Sequence, residues 1–513
     1  RLRGLICHRC IQCLTVDIVF MSYIDVLLVT PPSREQVYQS LGSDLAAVEP
    51  PVWSLLIAEF LRRRGVEARV LDAEAEGYTH EETARKIVDA NAVLTVYVIY
   101  GQQPSASTQC MPGGRKVCEL VNAETDRPSL VMGTHASALP ERTLVEEPYT
   151  FVCHGEGPHT ILSLLEELKG GLSFADVPGL CYEQDGRAHL NPMAEKIANL
   201  DETLPGQAWD LVDMSKYRAH NWQCLDDPSK RMPYASLQTS LGCPYKCSFC
   251  CINTPFGGSG IRFWSPDYVI GEIDTLVEKY GVSVIKIPDE LFVLNKNHVN
   301  GICDRIIDRG YDLNMWAYAR IDTIKPAFLE KLKKAGIQWL GIGVESARKH
   351  VREGVTKGHF IDADVSEVIK MIRDHGIYVS SNFIFGLPDD DMDSMQATLD
   401  LALELNTEWA NFYSAMAYPG SELYGVAKGK SWKLPDDPGG PGWIGYSQHA
   451  YETLPLPTNH LSAQEVLSFR DQAFDTYFTN SDYLSMIGKT FGESAVEHLQ
   501  SMAGHTLKRK LFS

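Results

Sequence analysis

The stretch Leu241-Gly242-Cys243-Pro244-Tyr245-Lys246-Cys247-Ser248-Phe249-Cys250 carries three thiols at Cys-x-x-x-Cys-x-x-Cys spacing behind a turn-forming lead-in. Three thiolates this close together can hold three irons of a cubane iron–sulfur cluster and leave the fourth iron open to a small molecule. Because clusters that only carry electrons are held by four cysteines, a trio indicates an iron that takes part in chemistry. The alternatives are a structural zinc site and three unrelated buried thiols, since free cysteine is often buried. Zinc ligands usually come as two separated pairs, and no second pair stands near this trio. We expect the adjoining Cys251 to pack rather than to ligate.

The whole chain has the composition of a globular protein with two or three domains. Of its 513 residues, 44% are hydrophobic and 22% are charged. No apolar run approaches the roughly 18 residues of a membrane span, so we expect a cytoplasmic protein without one. The net charge of -19 would repel a phosphate backbone, so we expect no nucleic-acid partner. Thirteen cysteines without a secretory leader indicate a reducing compartment that keeps thiols free for metal.

Residues 1–20 are the least typical part of the chain. They contain a compact group of potential metal ligands, Cys7, His8, Cys10 and Cys13. The segment from Met21 to Val29 reads as a natural chain start that runs straight into a first strand. We therefore expect residues 1–20 to be a leader without function, with a second metal site as the alternative.

Residues 21–175 alternate short apolar runs with amphipathic stretches. The expected strands are Val26–Val29, Ala68–Leu71, Val93–Ile99, Ser129–Met132 and Phe151–Val152. Such alternation predicts a doubly wound parallel sheet, whose ligands bind outside the carboxyl ends of the strands. No Gly-x-Gly-x-x-Gly follows the first strand, which weakens a dinucleotide-binding interpretation. Glycines, hydroxyls and amides that could contact a ligand gather at those ends, and the candidates are Thr30, Pro31, Gln102, Ser105, Ser107, Thr108, Gly133, His135, Gly155, Glu156 and Gly157.

Residues 176–232 are expected to form a linker with a small hairpin at Asp185-Gly186. From residue 233 to 425 a second alternation has six strand-plus-helix units, which predicts an incomplete α/β barrel with its site at the carboxyl ends of the strands. Those ends carry the polar residues Asp289, Glu290, Arg320 and Glu345. Residues 426–513 are expected to form a small helical cap, with helices at Ala463 to Phe478 and Glu493 to Leu511.

The cysteine trio closely resembles the motif of the radical S-adenosylmethionine (SAM) superfamily. Upstream, Gly133-Thr134-His135-Ala136-Ser137, the Gly155-Glu156-Gly157 turn and Pro50-Pro51 look like the cobalamin-binding domain that precedes many radical SAM domains. The resemblance covers nearly everything from Met21 onward. It implies an N-terminal doubly wound cobalamin-binding domain, a partial (βα)6 radical SAM barrel and a helical C-terminal cap.

The resemblance also implies three cofactors and their contacts. Cys243, Cys247 and Cys250 would hold a 4Fe-4S cluster, and the ligand-facing residues of the first domain would hold cobalamin. For SAM, Asp289 and Glu290 would meet the amino group, although they replace the Gly-Gly-Glu of many family members. Arg320 would meet the SAM carboxylate, Glu345 the ribose and Phe249 the adenine. For each of the polar residues, a helix cap or a surface ion pair is the alternative role.

By the same resemblance, the protein would be a cobalamin-dependent methyltransferase acting on an unactivated carbon of a small molecule, lipid or natural product. A 5′-deoxyadenosyl radical would remove hydrogen from the substrate, methylcobalamin would supply the methyl group, and a flavodoxin or ferredoxin would supply electrons. The alternatives are a cobalamin-assisted cyclase and, less favoured, a methylthiotransferase or a non-catalytic cobalamin sensor. No histidine stands between Thr30 and Trp53, so we expect no protein nitrogen on the lower face of cobalt.

Overall fold

The computed structural model describes residues 23–42, 45–100, 106–171, 173–356 and 364–513. The N-terminal group Cys7, His8, Cys10 and Cys13, and the candidate ligands Gln102 and Ser105, lie outside these ranges.

The first domain is built on a seven-stranded sheet in the order β2-β1-β3-β4-β5-β6-β7. The strands are β1 (Val26–Thr30), β2 (Ala68–Asp72), β3 (Leu94–Val98), β4 (Ser129–Met132), β5 (Phe151–Cys153), β6 (Leu180–Gln184) and β7 (Arg187–Leu190). The first five are parallel, and β6 and β7 add an antiparallel hairpin at the edge. The expected doubly wound fold is confirmed, while the hairpin assigned to the linker extends this sheet beyond residue 175.

Helices cover the sheet between its strands. They are α1 (Arg34–Tyr38), α2 (Val52–Arg62), α3 (Ala73–Glu76), α4 (His80–Ala90), α5 (Ala106–Asn122), α6 (Thr134–Ala138), α7 (Pro140–Glu146) and α8 (Pro158–Gly170). Helix α5 contains Pro112, Gly113 and Gly114, which are residues that a helix interior usually disfavours. In the structure a Cβ at Gly114 would lie 2.5 Å from Cδ1 of Ile99, so the glycine allows this helix to press closely on the sheet.

The connector holds α9 (Leu200–Thr203) and several 3-10 turns. One turn, Asn221–Cys224, carries the buried Trp222 into the second domain. Its ring lies 5.2 Å from that of Trp316, 5.1 Å from that of Trp339 and 6.3 Å from that of Trp409. These four tryptophans form an aromatic floor at the amino end of the second sheet.

The second domain is the expected six-unit partial barrel. Its strands are β8 (Tyr234–Ser236), β11 (Val284–Ile287), β12 (Asn314–Ala319), β13 (Ile337–Glu345), β14 (Tyr378–Phe385) and β15 (Trp409–Ser414). Between β8 and β11, β9 (Ser240–Leu241) and β10 (Arg262–Phe263) form a short antiparallel ribbon. The six are parallel and ordered β15-β14-β13-β12-β11-β8. Helices α10 (Pro266–Tyr280), α11 (Lys296–Arg309), α12 (Pro326–Lys334), α13 (Lys349–Gly354), α14 (Val365–Asp374) and α15 (Met392–Leu405) complete the units.

Local signals fix the ends of these helices. Ser265 caps α10 by accepting a hydrogen bond from the amide of Tyr268. Gly281 and Gly310 close α10 and α11 in the left-handed conformation, at φ +65° and φ +67°, which glycine adopts without steric cost. These residues therefore set the start of α10 and the ends of α10 and α11.

The C-terminal region contains α16 (Glu422–Gly429), α17 (Ala463–Phe478), α18 (Ser481–Phe491) and α19 (Glu493–Ala503). The sequence prediction missed α18 and extended α19 to Leu511. The end of the chain instead returns to α17, where Arg509 forms an ion pair with Asp471 at 2.9 Å. No helix within the described ranges is long and apolar enough to cross a membrane.

Candidate active site

The cysteine loop follows β9 and is held by backbone-directed hydrogen bonds. The amide of Cys243 donates to Oδ1 of Asn253 at 3.1 Å, and Nδ2 of Asn253 donates to the carbonyl of Tyr245 at 3.2 Å. Gly242 has φ +87°, and a Cβ there would lie 2.5 Å from the carbonyl oxygen of Gly260. A side chain at position 242 would therefore displace the ribbon from which the loop starts.

The same loop is tied to the barrel behind it. The amide of Ser248 donates to the carbonyl of Val355 at 3.1 Å, and its carbonyl accepts from the amide of Leu423 at 2.8 Å. Cys250 is exposed and Cys251 is buried. This contrast supports the expectation that Cys251 packs and the trio ligates.

The chemistry of the trio fits a cubane cluster. Its three thiols lie on one loop and are half-buried or exposed. A cubane cluster offers a separate iron to each thiolate, so three thiols spread along one partly exposed loop fit its geometry.

Arg320 reaches this loop from the end of β12. Its Nε and Nη2 each donate to the Asp322 carboxylate at 2.9 Å, and its guanidinium lies 3.9 Å above the ring of Tyr245. The remaining nitrogen, Nη1, lies 4.0 Å from Sγ of Cys247. Asp322 and Tyr245 thus orient a planar cation beside the cysteine loop, where a ligand carboxylate would meet it.

Two adjacent acids beyond β11 have different surroundings. Asp289 is fully buried, and its carboxylate accepts from the Thr239 amide at 2.7 Å, the Thr239 hydroxyl at 2.6 Å and the Ser240 hydroxyl at 2.6 Å. Oε2 of Glu290 is buried without a hydrogen-bond partner, and burial raises the pKa of this carboxyl to about 8. Glu290 is therefore the better placed of the two to receive a ligand ammonium group. Asp289 instead holds the start of β9, the strand that leads into the cysteine loop.

Glu345 ends β13 in a strained conformation. Its φ is +63°, and the pairing with β14 shifts register between Gly343 and Glu345. Left-handed backbone at a non-glycine residue costs about 1–3 kcal/mol and gathers at functional sites. The register shift lies at the carboxyl edge of the barrel. The buried carboxylate of Glu345 is therefore at the edge where the sequence predicted a ligand contact.

The carboxyl edge of the first sheet has an excess of unpaired polar atoms. Buried atoms without hydrogen-bond partners there include Thr30 Oγ1, Tyr100 Oη, Thr134 Oγ1, His135 Nε2 and His154 Nδ1. Buried polar groups are ordinarily hydrogen-bonded. This donor and acceptor set fits a large cofactor with many amide groups, such as cobalamin.

Ser107 and His135 lie together at this edge. The Ser107 hydroxyl donates to the Ile99 carbonyl and accepts from the His135 amide at 3.1 Å. Nδ1 of His135 lies 3.3 Å from Oγ1 of Thr108, and burial lowers the pKa of this histidine to about 3. With this pKa, His135 is a neutral imidazole at neutral pH. The turn before it requires glycine, because a Cβ at Gly133 would lie 2.1 Å from the Ile99 carbonyl oxygen.

Other predicted contacts have different neighbours. Oε2 of Glu156 accepts from the Ile197 amide at 2.9 Å, and Oε1 accepts from Arg262, so this carboxylate joins the two domains. Phe249 packs beside the buried cluster of Val351, Val355, Leu387 and Ala415. Pro31 packs toward α5, and Gly155 and Gly157 turn at φ +132° and φ +101°.

A buried ion pair between Lys286 and Glu49 lies in the barrel lumen and is not among the predicted site residues. Nζ of Lys286 on β11 lies 2.8 and 2.9 Å from the two carboxylate oxygens of Glu49, which comes from the first domain. Oε2 of Glu49 also accepts from the Ser236 hydroxyl at 3.2 Å. A lysine in the middle of an apolar strand was the available signal, because a buried ammonium requires a partner.

Comparison with known families places both domains. Residues 39–165 match the B12 binding domain, and residues 237–402 match the radical SAM superfamily.

Three curated relatives align with most of the chain. An uncharacterized methyltransferase of Pyrococcus horikoshii is 28% identical, over 79% of this chain and 84% of the relative. The anaerobic magnesium-protoporphyrin IX monomethyl ester cyclase of Rubrivivax gelatinosus is 24% identical, over 75% and 68%. The cytidylyl-2-hydroxyethylphosphonate methyltransferase of Streptomyces wedmorensis is 24% identical, over 78% and 81%.

Two solved structures share the fold. The cobalamin-dependent SAM radical enzyme OxsB superposes with a TM-score of 0.70 at 15% identity, over 94% of this chain and 70% of that chain. The radical SAM methyltransferase TsrM of Kitasatospora setae superposes with a TM-score of 0.64 at 17% identity, over 93% and 98%.

Proposed function

Because the chain is a cobalamin-dependent radical SAM enzyme, with a B12 binding domain ahead of its radical SAM domain, we propose that it methylates an unactivated carbon of a small molecule. The proposal rests on one observation: the carboxyl edge of the first sheet lies against the carboxyl edge of the barrel. A Cβ at Gly420 would lie 2.4 Å from Oγ1 of Thr254, just beyond the cysteine trio, and 3.1 Å from Cβ of Ala138 on α6. A group bound at either edge would therefore lie next to the other.

The chemistry supplied by the bound cluster, SAM and cobalamin is removal of hydrogen from a substrate carbon and delivery of a methyl group. The protein positions these groups. Cys243, Cys247 and Cys250 would hold the cluster. Glu290 would accept hydrogen bonds from the SAM ammonium, and Arg320 would hold the carboxylate through the nitrogen that faces Cys247.

The remaining contacts complete this arrangement. Glu345 would receive the ribose hydroxyls at the end of β13. The unpaired atoms of Thr30, Tyr100 and Thr134 would receive the polar groups of cobalamin. The close approach of the two domains at Gly420 would limit the access of water to reactive groups. Electrons would come from an external flavodoxin or ferredoxin.

A cyclase is the second candidate, because one relative over three quarters of the chain carries that activity in its name. The two reactions differ in their products. Anaerobically reconstituted enzyme with S-adenosyl-[methyl-CD3]methionine and reductant should place the label in a product detected by mass spectrometry. An unlabelled product that has lost hydrogen would identify a cyclase instead.

A further inference from the structure

The barrel lumen has an accessible inner face. Along β12, β14 and β15, the inward side chains above the aromatic floor are only half-buried, whereas their outward neighbours are buried. The half-buried positions are Tyr318, Asn382, Ile384, Asn411 and Tyr413. A parallel sheet normally has both faces covered, so this inner surface borders a space in the fold.

The side chains around that space are polar. Nδ2 of Asn411 donates to Oδ1 of Asn382 at 3.0 Å, and Nε1 of Trp409 donates to Oδ1 of Asn411 at 3.0 Å. Nδ2 of Asn411 also donates to the Ser380 hydroxyl, and Nδ2 of Asn382 donates to the Ile342 carbonyl, each at 3.4 Å. Because an amide carries two donors and two acceptor lone pairs, Asn382 keeps one donor and both amides keep one acceptor position for a ligand. On this wall, Ile384 is the one apolar side chain among the half-buried positions named above.

The neighbouring strands and the first domain continue the same chemistry. On β13, Gly341 lacks a side chain, and a Cβ there would lie 2.9 Å from Cδ1 of Tyr318. Glu49 and Lys286 form a buried pair at the opposite side. Above the aromatic floor, the inner surface thus carries amides, phenols and one ion pair, with Ile384 as an apolar side chain.

We infer that the substrate is a small polar molecule with hydrogen-bond donors and acceptors, held by Asn382 and Asn411 in the lumen, and not a lipid. This inference rests on the proposed methyl transfer. An apolar ligand would strip water from these groups without replacing its hydrogen bonds, which disfavours its binding. A site built for hydrogen bonding rejects ligands that lack them far more strongly than an apolar site rejects an extra methylene.

The test uses the source organism's metabolite extract, divided between aqueous methanol and chloroform. Each fraction is incubated with anaerobic holoenzyme, S-adenosyl-[methyl-CD3]methionine and reductant. We expect a labelled product from the aqueous fraction only. Asn382→Leu and Asn411→Leu keep a similar volume but remove hydrogen bonding, so each should lower the label yield about tenfold or more.

Matched measurements separate this inference from its premise. Ile384→Leu alters the same wall without removing a polar group and should keep most of the label. Cobalamin binding and SAM binding of all three variants should equal those of wild type, which shows that they fold. Label from the chloroform fraction, or full yield in both asparagine variants, would overturn the polar-substrate inference. If neither fraction gives a labelled product, the proposed methyl transfer, on which this inference rests, is contradicted.

Discussion

Oε1 of Glu156, a residue in the turn after β5, lies 2.5 Å from Nη2 of Arg262 on β10. This ion pair crosses the boundary between the two domains. Both side chains are largely buried, at 8% and 13% exposure. Because β10 pairs with β9, which leads into Cys243, this contact sets the distance between the cobalamin edge and the cysteine loop.

Glu156→Gln should loosen that boundary. Removal of one partner from a buried ion pair costs about 3–5 kcal/mol, so thermal unfolding should begin at a lower temperature. Pulsed electron paramagnetic resonance should also show a broader distribution of distances between added cob(II)alamin and the reduced cluster. Asp267→Asn, which breaks an exposed pair with Arg305, is the control and should cost at most about 1 kcal/mol. Equal losses in both variants would contradict a positioning role for Glu156.

Replacement of Cys243, Cys247 and Cys250 by alanine should abolish cluster binding and SAM cleavage. Wild-type protein reconstituted without oxygen should hold about four irons, as three thiolates and an open iron imply. Cys251→Ala provides the matched control, because Cys251 adjoins the trio but is buried, and its iron content should equal that of wild type. SAM cleavage at the wild-type rate in the triple variant would refute the cluster assignment.

Arg320→Lys should weaken SAM binding about tenfold or more while cobalamin binding is unchanged. Lysine keeps the charge but loses the planar fork that pairs with Asp322 and stacks on Tyr245. Isothermal titration with SAM and with hydroxocobalamin measures the two affinities separately. If SAM affinity is unaltered, the residue serves only to fix the fold of the loop.

Asp289→Asn and Glu290→Gln should differ in effect although the residues are adjacent. The Asp289 carboxylate accepts three hydrogen bonds, so an amide nitrogen there would face a donor and lower stability by about 1–3 kcal/mol. Glu290→Gln should leave the unfolding temperature unchanged and raise the SAM dissociation constant about tenfold. The reverse pattern would transfer the ammonium contact to Asp289.

Bound cob(II)alamin should show no nitrogen hyperfine splitting from an axial ligand in its electron paramagnetic resonance spectrum. The loop after β1 has no histidine before Trp53, and His135 is packed 4.4 Å from the ring of Trp443. Should a splitting appear, His135→Ala will show whether this residue is its source. The variant should otherwise leave the spectrum unaltered.

Local sequence features predicted most of the architecture. Apolar alternation predicted β4 with its observed bounds, Ser129–Met132, and the helical pattern from Ala463 to Phe478 predicted α17. The cysteine trio was recognisable because its ligands lie within eight residues of one loop. These are short-range patterns, which a linear reading can resolve.

Contacts between distant segments could not be read in this way. Glu156 and Arg262 are 106 positions apart, and no local pattern links them, so the turn that contains Glu156 was interpreted as a cofactor contact only. The α18 helix was missed although Asn480 caps its start. Its apolar side chains find their partners far away in the chain, as Phe491 does against Trp339 and Tyr378. Its burial against the barrel comes from tertiary packing.

The aromatic floor has a practical consequence for dissecting this enzyme. Trp222 belongs to the connector, yet it fills the space between Trp316, Trp339 and Trp409. A gene fragment cloned from residue 233 onward would expose the faces of these three indole rings that Trp222 covers, and exposed apolar patches promote aggregation. The catalytic half is therefore expected to be recovered from cells in soluble form only when its coding region begins upstream of Trp222.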